Sequence, residues 1–497
     1  FISPAPRGPV DHAVSISSPD DFQKIFGVPE YHCRLEFAVR QFFANGGRSA
    51  VIVRVSGSRA RNRIHLPGAG GDLVLEAKNP GPLEHLRASV DYEDLETESD
   101  GDSQHSFNLI VQRLRSSGSA WIDAQECYRN VSTDPGSRDY LGYVLSQSEL
   151  VQLAGSPPRS RPHPTIKPTT VRQAGYVEAL AGDVNSPPPT DYDLIGSGAH
   201  GTGLNALEHI ADIGQVCLVS GAEGAPLGPI ALLAADQFCR LNQALLIIDP
   251  PPRWASDDDE LRDQERSGFS SPNAVTWYPG VYASNAHGER VHTSIVGAIA
   301  AAFASAGRID GVHPLHSDGP VMLRGGVRLT AQLDNADIRR LARAGINSLI
   351  QRSPLHLQLL GNVTQARYGS IAAEWTELDL RHQVLFILRR IRQGTLWTFF
   401  HKSKPGIWRE VESQVAAFLT ELHARSVLAG EHASLSYFVK CDSDTNAGLL
   451  GRPGEIGFVV GFALRRPGEF LSFRFQFSHG ECRVSELGWQ SGFACAI

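Results

Sequence analysis

The 497-residue chain lacks most of the short patterns that announce chemistry. It has no GxxxxGK[ST] phosphate loop, no GxSxG nucleophile elbow and no CxxC pair. Those absences argue against P-loop nucleotide hydrolysis, serine-hydrolase chemistry and a zinc ribbon. Seven cysteines, at positions 33, 127, 217, 239, 441, 482 and 495, are scattered and odd in number, which suits a reduced compartment better than a disulfide framework. No apolar run approaches the roughly 18 residues that a membrane span requires. The formal net charge is −7, so a broad basic face for nucleic acid is not expected. Methionine occurs once, as Met322, and the chain opens on Phe1, so the native N-terminus is expected upstream.

What remains is an ordinary folding composition, with 42% hydrophobic and 20% charged residues. The length calls for about three domains. Ala13–Ile16 alternates as a strand. Ser18-Pro19-Asp20-Asp21 then opens a helix with a cap, a proline at the first helical position and acids at the positive end of the dipole, and Gly27 closes it. Leu35, Val39, Phe42 and Phe43 share a helical face that ends at Asn45-Gly46-Gly47, and Ala50–Val53 follows as a buried strand. This β-α-α-β unit cannot cover two faces alone and needs later segments to pack on.

Residues 57–190 read as a β-rich insertion, with short strands at Leu73–Leu75, Ala88–Val90 and Phe107–Val111. The acidic run Asp91–Asp102 does not have EF-hand spacing and reads as a solvated loop rather than a calcium site. The proline-rich stretches 156–164 and 187–189 read as exposed linkers. From Tyr192 the pattern is α/β: strand Gln215–Val219, helix Pro226–Asn242 and strand Ala244–Asp249 have the spacing of a parallel pair. Ala274–Tyr278 is another strand, and Gly345 closes a helix over Asn335–Ala344 with Asn347 in the turn beyond. From about residue 354 the pattern is α+β. Helices are expected over 380–393 and 405–424, and strands over 396–400, 435–439, 456–462 and 470–477.

Four features invite a chemical reading. Asp249 ends a strand like a magnesium-holding acid, but without a phosphate loop it reads as a turn former before three prolines. Gly196–Gly203 is glycine-rich but precedes a helix rather than following a strand, so it reads as a flexible loop. His313 and His316 lie in a Pro/Gly/Asp loop without metal spacing. Arg389, Arg390 and Arg392 read either as solvated charges or as an interface. No catalytic, cofactor or metal residue is assigned.

An ordered string of motifs is more specific than any of these. It begins with Gly8-Pro9, Val14–Ile16, Ser18–Gly27, and Ala38-Val39 through Phe42-Phe43-Ala44-Asn45-Gly46-Gly47 to Val51–Val55. It continues with Trp277–Gly280, Leu341–Asn347, Trp408 to Leu422, Val439–Asp442 with Thr445-Asn446, and Arg465–Phe470. Together these resemble the contractile tail sheath family of phages and related injection machines, over 1–55 and 200–477. The resemblance implies an α/β and α+β multidomain fold: an α/β sheath domain from 1–56 with 191–353, an outer insertion 57–190, and a C-terminal α+β domain 354–497. It implies a structural role rather than catalysis, with no cofactor, no nucleic acid and no membrane insertion. It also implies helical self-assembly, six subunits per ring, around an inner tube, with baseplate and tail-terminator partners. The location implied is a virion tail or extracellular contractile particle, assembled in the host cytoplasm. The sequence departs from the family in lacking an N-terminal arm before Arg7-Gly8-Pro9, in lacking the tryptophan-glycine expected near 357–364, and in extending past Gln476.

On that reading the polar stretch 380–412 faces the tube, with Arg389, Arg392, Lys402 and Lys404 in breakable charge contacts. Tyr437, Val439, Phe458, Val460, Phe473 and Phe475 mark an inter-subunit sheet, and residues after 477 supply a donated strand. The rival readings are a capsid or surface-layer protein and an α/β enzyme using the loop 196–203.

Overall fold

The computed structural model describes residues 1–27, 33–81, 83–95, 104–116, 118–165, 175–180, 188–221, 227–251, 254, 268–284, 288–306, 320–324, 326–353, 356–366 and 375–491. His313 and His316 lie outside these. Helices and several separate sheets make an α/β and α+β multidomain protein. The chain divides into two compact units, the first comprising 1–40, 48–207 and 219–225, and the second 41–47, 208–218 and 226–497.

In the first unit, β1 (Ile2–Pro4) runs parallel to β3 (Ala50–Val55), and β2 (Ala13–Ile16) pairs with the other edge of β3 in antiparallel register. Helix α1 (Pro19–Phe26) is built as its sequence prescribes: the Ser18 hydroxyl accepts from Asp21 N at 3.1 Å, and Gly27 N closes on Gln23 O. Helix α2 (Arg34–Ala44) follows. Gly8 holds a φ of +96°, and a Cβ there would stand 2.9 Å from Ile25 O, so the turn before β2 needs glycine twice over. Arg54, 2% exposed, threads beneath this turn. Its guanidinium donates to Ala5 O, Gly8 O and Pro80 O at 2.7, 2.5 and 2.6 Å. Burial depresses its pKa to about 10, with Glu84 acting in the opposite sense.

The insertion forms two small sheets over one core. One is β4 (Arg63–Leu66), β5 (Leu73–Ala77) and β9 (Val151–Leu153). The other runs β10 (Val177–Glu178), β6 (Leu86–Asp91), β7 (Ser106–Leu114) and β8 (Ile122–Ser132). Alternating residues such as Leu73, Leu75, Ala88, Val90, Leu109 and Val111 fill the core, together with Leu141 and Leu145 of α3 (Leu141–Ser146). The 156–164 stretch is not a linker. Arg161 N donates to Gln104 O, the Arg161 guanidinium lies 3.6 Å from the Tyr92 ring centre, and Tyr92 Oη donates to Pro162 O. Proline lacks a donor but keeps its carbonyl, and that suffices to tie the segment down. Of the acidic run, 91–95 are described and 96–102 lie outside the described residues. Helix α4 (Asp191–Ile195) leads into the glycine segment.

In the second unit, β11 (Gln215–Leu218), α5 (Pro229–Asn242) and β12 (Leu245–Ile248) make the expected parallel pair, extended by β13 (Ala274–Tyr278). A three-stranded side sheet is built from β14 (Val281–Ser284), β15 (Arg290–Thr293) and a two-residue strand at Arg328–Leu329. Helix α6 (Val296–Ala306), rich in alanine, packs on β11 and β12. Strand β16 (Val321–Arg324) lies at the sheet edge, and this two-residue Arg328–Leu329 strand is β17. After α7 (Asn335–Arg343), Gly345 takes a φ of +78° and Asn347 opens β18 (Asn347–Ser353) instead of lying in a turn. The Asn347 amide donates to Thr276 O and Val363 O and accepts from Val363 N, so it cross-links neighbouring backbone. β18 pairs with β13 in parallel and with β19 (His356–Leu360) in antiparallel register.

The C-terminal part carries α8 (Leu378–Thr395) and α9 (Pro405–Ala424) over the sheet β20 (Tyr437–Lys440), β21 (Ile456–Phe462), β22 (Glu469–Ser478) and β23 (Glu481–Ser491), in that order. The segment Leu396–Phe400, expected as a strand, is a 3₁₀ helix continuing α8, with Thr395 Oγ1 bonded to Ile391 O. A five-residue apolar run carries no period that separates the two states, and a tightened last turn is a common helix ending. His479 and Gly480, with φ of 51° and 81°, join β22 to β23 in a two-residue hairpin.

Candidate interaction surfaces

The residues singled out in the sequence fall into three groups in the structure. The first is α8, which carries a row of arginines at 381, 389 and 392. Arg381 Nε donates to Asn273 Oδ1 at 2.8 Å, and the Arg381 guanidinium sits 4.4 Å from the Trp375 ring centre. Arg389 donates to Asp212 Oδ1 and Gln243 O, both at 3.1 Å. Arg392 donates to Leu241 O and Asn242 Oδ1, both at 3.1 Å. Arg389 is 12% exposed, and burial holds its pKa below the usual guanidinium range against the pull of Asp212. Asp212 is raised by its own burial, but Gln393, Arg389 and Arg390 together bring it below the ordinary carboxylate range. Arg389 and Arg392 therefore act as fasteners, tying α8 to the backbone flanking β11 and β12. Helical spacing toward a packed neighbour is what the sequence could have offered as a signal.

The second group is exposed. Lys402 and Lys404 lie on the surface and have no carboxylate partner among the described residues. Phe400 beside them is 88% exposed. The strip runs against 451–454, with Ser403 N donating to Arg452 O, Gly451 N to Ser403 O and Gly454 N to His401 O. That contact brings Leu450, 67% exposed, next to the strip. Two exposed apolar side chains, one toward each end of this backbone pairing, with the two ammonium groups along it, have the composition of a binding surface. Phe400 and Leu450 carry no linear signal, because the 3₁₀ turn and the 446–454 loop meet only in the fold.

The third group is the C-terminal sheet. Phe458, Val460, Phe473 and Phe475 are buried in the chain's own core. Phe458 lies opposite Phe475 with ring centres 4.8 Å apart and planes at 5°, and Val460 lies opposite Phe473. Both strands are already paired on both sides. Tyr437 and Val439 are on the short border strand β20. The anticipated donor, the segment after 477, pairs in this chain with β22 from Ser478–Glu481 to Glu469–Ser491. The free backbone of this sheet belongs to β20 and β23, not to the strands carrying the four buried residues. β23 shows Glu481 and Arg483 on its exposed side, which discourages unspecific strand addition, whereas Glu486 stands opposite buried Phe473 and accepts from Trp375 Nε1 at 3.0 Å.

The remaining described candidates have partners within the chain. Asp249 Oδ1 accepts from Ile295 N at 3.2 Å and orders the approach to α6. The glycine segment 196–203 is a closed double turn rather than a flexible loop. Thr202 N donates to Ser197 O, Gly201 N to Gly198 O, and Gly203 N to Asp11 Oδ1 at 2.9 Å, so these donors are committed within the chain. Among the described residues, no group of three or more His, Cys, Asp or Glu is placed to hold a metal ion. None of the described helices is long and apolar enough to cross a membrane.

No protein-family model and no curated protein matches the sequence. Solved structures do. A sheath tail protein of Listeria innocua aligns over 98% of this chain and 95% of its own, at a TM-score of 0.59 and 13% identity. This is the fold of the sheath tail proteins. A second sheath tail protein, of Desulfitobacterium hafniense, aligns over 98% and 95%, at a TM-score of 0.54 and 11% identity. The helical sheath of the anti-feeding prophage in its contracted state aligns over 95% and 90%, at a TM-score of 0.50 and 15% identity. The sheath fold thus covers 57–190 as well, where the motifs give out.

Proposed function

We propose that this chain is a structural subunit of a contractile sheath. Copies stack as a helix of rings, six to a ring, around an inner tube, and contraction drives that tube through a target envelope. The observation that carries the reading is the likeness to sheath tail proteins along nearly the whole chain. The work comes from repacking: if the contracted state buries a few hundred Å² more apolar surface per subunit, roughly 5–10 kcal/mol is released before desolvation and ordering costs. No nucleotide enters the cycle.

In this reading 354–497 contributes the tube-facing surface, at Phe400, Lys402 and Lys404 rather than at Arg389 and Arg392, and inter-subunit strand pairing uses the β20 and β23 borders. Residues 57–190 form an outward insertion on a domain made of 1–56 and 191–353. A baseplate and a tail terminator bound the polymer, and the particle is a virion tail or an extracellular contractile device. Negative-stain images of the purified chain test this. Striated hollow cylinders are expected. A closed shell, a flat lattice, or a lone monomer that turns over a substrate would overturn it.

A further inference from the structure

A cleft of about 740 Å³ opens in the first unit, and its walls carry more cations than the chain neutralises. Arg59 is answered by Asp11 at 2.7 Å and Arg61 by Glu76 at 3.5 Å. Lys24, Lys78 and Arg113 have no carboxylate partner among the described residues, and exposed Glu149 is the cleft's one acid. Arg113 reaches only Lys24 O, at 3.5 Å, and its Nε is buried without a partner. The cavity is several times larger than one phosphate, and its cations come from four separate segments, so it suits an extended polyanion better than a single ion.

The chain itself contains such a polyanion. Asp91, Glu93, Asp94, Glu96, Glu98, Asp100 and Asp102 put seven carboxylates into twelve residues with no base among them. The β6–β7 pair separates the two features. The acidic segment leaves the sheet at Asp91, opposite Asn108, whereas Arg113 stands opposite Leu86 at the other end. Five residue steps along β7 make that separation about 17 Å. A patch and its complement at opposite ends of one hairpin satisfy each other head to tail between copies, the type of contact that propagates into rings or helices.

We infer that the cleft lined by Lys24, Lys78 and Arg113 binds the acidic segment 91–102 of a second copy of this chain. The inference rests on the sheath reading only for its purpose, since the contact itself can be measured on single chains. A fluorescein-labelled synthetic peptide of residues 90–103 is titrated with the full-length chain and followed by anisotropy. Saturable binding is expected, weakening at least tenfold between about 50 and about 500 mM NaCl. It should weaken about tenfold in Lys24→Glu/Lys78→Glu, and a peptide with lysine at the seven acidic positions should bind that variant better than the parent. Lys24→Gln, at an exposed position, serves as a second variant with melting temperature as its folding control. Four results would overturn the inference: no saturable binding, equal binding by a peptide with Gln and Asn at the acidic positions, inorganic triphosphate binding that the peptide does not displace, or peptide binding only after the chain's own segment is neutralised, which would mean a fold-back within one molecule. Sedimentation of the unlabelled chain is scored separately: a chain that binds the peptide but never polymerises loses the sheath reading and keeps the cleft.

Discussion

Replacing Arg389 by alanine separates two roles that the sequence could not tell apart. If Arg389 met an inner tube, its loss would spare folding and weaken the partner contact. The structure gives it an internal task instead. It is 12% exposed, and it donates to the carbonyl of buried Gln243 and to Asp212, which is 48% exposed. The orphaned carbonyl costs about 1–3 kcal/mol. The ion pair, discounted because water reaches Asp212, adds about 0.5–1 kcal/mol. Arg389→Ala should therefore lower the unfolding free energy by about 1.5–4 kcal/mol, measured by urea titration with far-ultraviolet circular dichroism. The pH dependence carries a sign. Asp212 is held below its ordinary value in the folded state, so its contribution is present above about pH 4 and is lost as pH falls through the folded pKa. The gap between parent and variant should narrow below pH 4. A variant as stable as the parent at pH 7, or a gap that widens in acid, would refute the fastening role.

Lys402→Glu with Lys404→Glu should leave the melting temperature within about 2 °C of the parent, since both are exposed, while abolishing co-sedimentation with a tube protein. Phe458→Ala removes a fully buried ring stacked on Phe475 and should cost about 3–5 kcal/mol in the same urea assay. His382 is buried against Phe303, and burial depresses its pKa from 6.5 to about 4. The folded chain therefore keeps it neutral while the unfolded chain takes up a proton, so stability is full above pH 6.5 and falls by about 3 kcal/mol on the way down to pH 4. His382→Phe should flatten that slope in chemical denaturation followed across pH.

Local chemistry was legible where a short segment settles its own structure. The Ser18 cap, the Gly27 and Gly345 stops and the β11–α5–β12 alternation are each decided within a few residues. The phenylalanines of β21 and β22 showed their two-residue period, though not that their partners would be each other. Features that depend on distant segments meeting were not legible. Arg54 stands in an otherwise apolar strand, and the carbonyls it holds come from residues 5, 8 and 80. The cations of the cleft span about ninety positions, and Leu450 comes beside the 401–404 strip only through backbone pairing of 451–454. Arginine spacing on α8 was visible, but spacing alone does not say whether a helix face meets solvent, a partner or its own sheet.

The His479-Gly480 hairpin has a consequence for how a polymer could start. A lone subunit fills its own socket, since β23 saturates β22 before any neighbour arrives. Handing that strand to the next copy would break one ladder and make an identical one, so exchange is nearly neutral in hydrogen-bond enthalpy and is opposed mainly by the lost freedom of two molecules. On the proposed sheath reading, a chain exchanging this strand would stay quiescent at low concentration and elongate readily from a template that presents a vacant β22, which would place the decision to begin with the nucleating end rather than with the subunit.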